Sequence, residues 1–185
     1  MVCRSTCFVL ATASLIVPLL FVFLATSLSP WFNLVNNALS NLGHEIRNPV
    51  AIIFNSGLGI GGVLVGLYVA RCPWGTPFMF SGIAAGITLT LVGVIDEYYG
   101  MTHFVVSVAF FLPLTAFLLV YVAIRRNTAK SVAALVALSI AIALWVTHFI
   151  YRAPRGAAIP ELVSVFVFAP FYLDQARASP CTEHG

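Results

Sequence analysis

The apolar residues of this chain do not alternate with polar ones at the period of a soluble helix or strand. They come in long, nearly uninterrupted runs. A helix needs about 20 apolar residues to cross roughly 30 Å of hydrocarbon at 1.5 Å per residue. Runs of that kind occupy 7–28, 50–70, 78–95, 103–124 and 132–151. A last one, 160–173, is shorter and holds Pro170; it spans only by recruiting 156–159, or by kinking and locally thinning the bilayer. The pattern predicts an all-α polytopic transmembrane helix bundle of about six spans, with five spans and a re-entrant segment as the alternative. Residues 1–185 read as a single integral membrane domain with a polar tail over 174–185.

One segment has a different rhythm. Between 31 and 44, Asn33, Asn37, Ser40 and His44 recur at helical spacing, opposite Trp31, Val35, Leu39 and Leu42. A period near 3.6 predicts an amphipathic helix between the first two spans, ended by Gly43 and followed by Pro49. It lacks the Lys/Arg-rich polar face of a surface-binding helix. Two readings stay open: an interfacial helix wetted on one side, and a lid or wall over the bundle mouth.

Composition fixes the solvent. Hydrophobic residues make up 61% of the chain and charged ones 8%, with a mean hydropathy of +1.01. An ordinary soluble chain carries about 25% charged residues. Membrane lipids are therefore the expected surroundings, and a nucleic-acid binder, a secreted disulfide scaffold and a cytosolic enzyme are excluded. The first run follows Arg4 and ends in Ala25-Thr26-Ser27, in the manner of a signal peptide, but it exceeds the roughly 7–15 apolar residues of a secretory signal and reads as a retained helix.

The few charges are sorted. With the N-terminus inside, Arg4, Arg71, Arg125, Arg126, Lys130 and Arg177 fall on the inner side, against Arg47, Arg152 and Arg155 outside. That bias predicts a multi-pass protein of the cell membrane with both termini cytoplasmic. Cys3, Cys7, Cys72 and Cys181 then lie at or near the reducing side, where free thiols are expected, no disulfide is needed and no zinc spacing is present. Gly57, Gly61, Gly62 and Gly66 in the second span and Gly82 and Gly86 in the third predict a close helix crossing.

The opposite end gathers His44, His103 and His148 with Glu45, Asp96, Glu97 and Glu161. Taken singly, each has a structural reading. Glu97 meets water at a helix end, and Glu161 complements a helix dipole or pairs with Arg152 or Arg155. Taken together they outline an outward-facing polar pocket of Asn37, Ser40, His44, Asn55, Asp96, His103 and His148, suited to binding or permeation of a small-molecule or lipid ligand. No internal inverted repeat supports transport. The alternative is an intramembrane enzyme acting on a lipid or isoprenoid, with Ser40 as nucleophile and His44 or His103 as base, or with the histidines on zinc. No His-x-x-x-His or His-Glu-x-x-His spacing occurs, and no motif names a cofactor. The third reading is a structural or accessory subunit.

Several of these segments carry a family resemblance: 37–43 (Asn-Ala-Leu-Ser-Asn-Leu-Gly), 53–58 (Ile-Phe-Asn-Ser-Gly-Leu), 91–95 (Leu-Val-Gly-Val-Ile), His103 with Phe110-Phe111, and Ile159-Pro160-Glu161. In that order the chain resembles domain of unknown function 998 (DUF 998), a family of small polytopic membrane proteins of archaea and bacteria. The resemblance implies a six-helix membrane fold and no assigned activity. Members often carry a proline near the position of Asp96-Glu97, which this chain lacks, so the end of its third helix is expected to differ.

Overall fold

In the computed structural model, residues 4–72, 75–125 and 128–178 are described. Cys3, Arg126, Cys181, Glu183 and His184 lie outside them. The described residues form six long helices and no strand: α1 Arg4–Ser27, α2 Ala51–Arg71, α3 Thr76–Val94, α4 Met101–Ile124, α5 Thr128–Tyr151 and α6 Ala158–Ala178. The first five are long and apolar enough to cross a membrane. Each helix packs on the next, and α6 returns to α1, so the ring closes. Helices α1, α2 and α3 pack most intimately, while α5 sits more loosely between α4 and α6. Many large apolar side chains on the outer faces are exposed, Phe23, Ile52, Phe80 and Leu112 among them, as a lipid-facing surface requires.

The close packing on α2 comes from its glycines. A Cβ on Gly57 would fall 2.1 Å from Phe21 Cβ, and one on Gly61 2.8 Å from Pro18 Cγ, so this face receives α1. A Cβ on Gly62 would fall 2.5 Å from the Gly86 carbonyl oxygen, so the adjoining face receives α3. Without side chains in the way, the backbones approach closely enough for dispersion to hold helices together where lipid offers no hydrophobic driving force.

Three features depart from the expectations or add to them. Residues 31–44 form no amphipathic α-helix; they are a string of turns ending in a short 3-10 helix, Leu39–Gly43. The reason lies in the asparagines. Asn33 Oδ1 accepts from the Val35 and Asn36 N–H groups, Asn37 Oδ1 from Asn33 N–H, and Asn41 Oδ1 from Ala38 N–H. Side chains bonded to nearby backbone donors offer the chain an alternative to the helical ladder. Secondly, the polar tail begins inside a helix: α6 continues to Ala178 and places Asp174 against Arg125, at 3.5 Å, and against Lys130. Thirdly, Cys7 and Cys72 are joined in a disulfide between α1 and the end of α2, across 65 residues and a Cα separation of 5.8 Å. Compartment governs whether reductant is present; packing governs which thiols meet, and α1 and α2 bring these two together inside the bundle.

Candidate functional site: a lidded mouth and a lateral cleft

At one end of the bundle, 28–50, 95–100 and 152–157 meet. The first of these is a lid over the ring, bonded to α2, to the start of α6 and to the turn before α4. Its Val35 and Asn37 carbonyls accept from Gly156 N–H at 2.8 Å and Ala158 N–H at 3.0 Å, which ties it to the start of α6. Leu39 N–H donates to Glu161 Oε2 at 2.7 Å. The Asn41 amide donates to Glu97 Oε1, and Glu45 N–H donates to Asp96 Oδ2 at 3.1 Å. Asn55 of α2 donates to the Gly43 carbonyl at 3.0 Å. The buried Asn48 closes the lid by donating to the Leu42 carbonyl.

Helix α3 ends at Val94, before the acidic pair, so Asp96 and Glu97 diverge. Asp96, 3% exposed, accepts from Tyr98 N–H at 2.8 Å and starts the 3-10 turn Glu97–Tyr99. Gly100 follows with a φ of +52°, a conformation open to glycine, and turns the chain into α4. His103 stands in the first turns of α4. Its Nδ1 lies 2.6 Å from the Ile95 carbonyl oxygen and its Nε2 3.1 Å from Ser107 Oγ. His148 closes α5, with Nδ1 2.9 Å from the Pro154 carbonyl oxygen.

Below the lid lie two adjoining spaces. A central one of about 130 Å³ is almost wholly apolar, lined by residues such as Pro18, Leu58, Leu89 and Phe117. A larger cleft of about 520 Å³ runs between α4, α5 and α6. It follows α4 from Gly100 to Leu118, about 27 Å of helix at 1.5 Å per residue. Ser40, His103, Ser107 and Glu161 line both spaces. The cleft adds Glu97, His148, Trp145 and Ser164, with Trp145 Nε1–H donating to Ser164 Oγ at 3.0 Å. Among the described residues no Lys or Arg lines it.

Of the seven residues picked from sequence, Ser40, His103 and His148 share this cleft. Asp96 and Asn55 line a separate groove on the outer side of α2 and α3. Asn37 and His44 line none of these spaces; Asn37 shapes the lid turn, and the His44 ring meets Tyr98 edge-on at 6.2 Å. Among the described residues no three His, Cys, Asp or Glu side chains come together as metal ligands would. Glu161 accepts from Leu39 rather than pairing with Arg152 or Arg155, and Glu97 is tied to Asn41 instead of standing free in water.

The family model for proteins of unknown function, DUF998, matches residues 11–173, most of the chain from α1 into α6. The chain belongs to the DUF998 family. No curated protein and no solved structure matches it. In this DUF998 protein the cleft is completed by Glu161, Ser107, Trp145 and Ser164, which were not among the seven. Sequence offered one signal for them: Ser107 sits one turn after His103, and Trp145 one turn before His148.

Proposed function

We propose that this multi-pass membrane protein binds a lipid-like amphiphile in the cleft between α4 and α5. One observation carries the reading: a space of about 520 Å³ gathers its charged and imidazole groups at the lidded end and has walls that are apolar, Thr115 apart, along the rest of its length. That volume lies within the roughly 300–1,000 Å³ of ligand sites. Phe104, Leu112, Ile142 and Phe149 on its rim are exposed on the lipid-facing surface, so an acyl chain has a path in from the side. Two carboxylates and two imidazoles without a cation favour a head group that donates hydrogen bonds, such as an alcohol or amine; a phosphate would find no partner charge. Binding is favoured over permeation, because the lid bonds across the mouth and the central space is small and apolar. The excess of Lys and Arg at the opposite end supports a cell-membrane location with cytoplasmic termini and the lid on the outer side.

Trp145 reports on the cleft directly. With Trp31 and Trp74 replaced by Phe, a single-chain amphiphile brominated along its tail is titrated into protein held in unbrominated lipid. Saturable quenching of Trp145 is expected, and Ala141→Phe, which fills the wall, is expected to abolish the saturable part. Quenching that rises linearly and equally in both proteins refutes the reading.

A further inference from the structure

The bonds of His103 fix where its protons are. A carbonyl oxygen only accepts, so the 2.6 Å contact with Ile95 requires the proton on Nδ1. In the neutral ring Nε2 is then bare, and the 3.1 Å contact with Ser107 is the serine hydroxyl donating to it. This is the protonation state in which a histidine acts as base toward a serine, with its ring oriented by a third group. The hydroxyls of Thr12, Ser27, Ser81, Thr88, Thr90 and Ser164 turn back onto carbonyls of their own helices. The Ser107 hydroxyl is bonded to a base. Both residues line the cleft, and Ser40 presents a further hydroxyl to it from the lid.

Depth points to the bond that would be attacked. Helix α4 has 24 residues, about 36 Å, which exceeds roughly 30 Å of hydrocarbon and reaches into the polar interface. Ser107 lies six residues into it, about 9 Å from the lidded end. A centred helix of that length overhangs the hydrocarbon by about 3 Å at each end, which puts Ser107 about 6 Å inside it, beside the first carbons of an acyl chain; the bond within its reach is an ester at the head of a chain drawn inward by the polar end of the cleft.

We propose that Ser107 is the nucleophile and His103 the general base of an acyl-ester hydrolysis on an amphiphile held in this cleft, with the Ile95 carbonyl as the positioning group; this rests on the cleft being a ligand site. Ser107 Oγ bonds to the ester carbonyl carbon while its proton passes to His103 Nε2. The carbonyl–alkoxy bond then breaks, and the alcohol leaves with that proton. Water attacks the acyl-serine and gives a proton to Nε2; the carbonyl–Oγ bond breaks and Oγ takes the proton back. The net change is ester plus water to acid plus alcohol, with no redox partner.

The test is covalent trapping of the folded, membrane-reconstituted protein with a long-chain alkyl fluorophosphonate, followed by peptide mass spectrometry. Labelling at Ser107 is expected, absent in Ser107→Ala and slowed at least about 100-fold in His103→Gln, the scale of a lost general base. Ser107→Ala replaces one small helical residue by another, so it keeps the comparison sound if His103→Gln unfolds. Saturable Trp145 quenching with no label on Ser107, or label on another residue, overturns the hydrolase and leaves the cleft reading standing. Loss of both quenching and label overturns both.

Discussion

The crossing of α2 and α3 sets the shape of the bundle, and two glycines one turn apart test it. A Cβ added at Gly62 would lie 2.2 Å from Thr90 Oγ1, 2.5 Å from the Gly86 oxygen and 2.6 Å from Thr90 N. Two of these three are backbone atoms, which no rotamer change can move aside. Carbon wants about 3.5 Å or more from such neighbours, so the helices must part by about 1 Å, and a gap of that size forfeits a quarter to a half of each contact's dispersion energy. Overpacking of this kind costs about 1–3 kcal/mol. A Cβ at Gly66 meets nothing within 4 Å. The helix-propensity gain of Gly→Ala, about 1 kcal/mol where helices melt, is common to both variants and cancels in their difference. Thermal unfolding in a single detergent should therefore place Gly62→Ala below Gly66→Ala by about 1–3 kcal/mol. At roughly 2–4 °C per kcal/mol for a chain of 185 residues, that is a resolvable shift. Equal melting temperatures, or the reverse order, would refute the packing argument.

Glu161→Ala leaves the Leu39 N–H without its carboxylate and is expected to cost about 1.5–3 kcal/mol, whereas Glu161→Gln, which keeps an acceptor, should cost about half as much; hydrogen exchange at Leu39 checks the order. At the basic end, burial raises the Asp174 pKa, but the bonds from Lys130 and Tyr121 and the charges of Lys130 and Arg125 outweigh it and hold the carboxyl below its ordinary 3.8. A depressed carboxylate pKa means stability that is full above the unfolded value and drains away as pH falls through the folded one, so acid titration of the melting temperature should show a fall below about pH 4 that Asp174→Asn lacks. Cys7 and Cys72 should resist alkylation in the unfolded protein until a reductant is added; modification without reductant would show that the bridge is absent.

The helices were legible because nothing else explains apolar runs of that length. Their ends were less so: α5 begins at Thr128, ahead of the apolar stretch, since Ala129 favours a helix and the polar Lys130 and Ser131 are compatible with one. Residues 31–44 misled because Asn33, Asn37, Ser40 and His44 have helical spacing, while an asparagine's oxygen prefers a backbone N–H two to four residues away. The partners of Glu161 and Cys7 were out of reach for another reason. Leu39 is 122 residues from Glu161, and Cys72 is 65 from Cys7; no local period records who meets whom across the ring. His103 was visible as a polar residue at a helix start, but its role as acceptor depends on a carbonyl eight residues earlier in the chain, and that contact exists only because α3 stops at Val94.

Turns rather than a helix in the lid have a consequence for how a ligand enters. A helix satisfies its backbone internally and offers neighbours only side chains on one face. The turns between Val35 and Glu45 leave backbone groups pointing several ways. Val35 and Asn37 offer carbonyls to α6, Leu39 its N–H to Glu161, Gly43 its carbonyl to Asn55 and Glu45 its N–H to Asp96. One short segment thereby fastens α2, α6 and the turn before α4 to one another. Helix α5 takes no part in these bonds; its end is held through Pro154 and His148 instead. With α5 outside these bonds, the proposed cleft would be entered from the bilayer between α4 and α5, and a lipid-borne ligand would reach Ser107 by that route with the lid bonds intact.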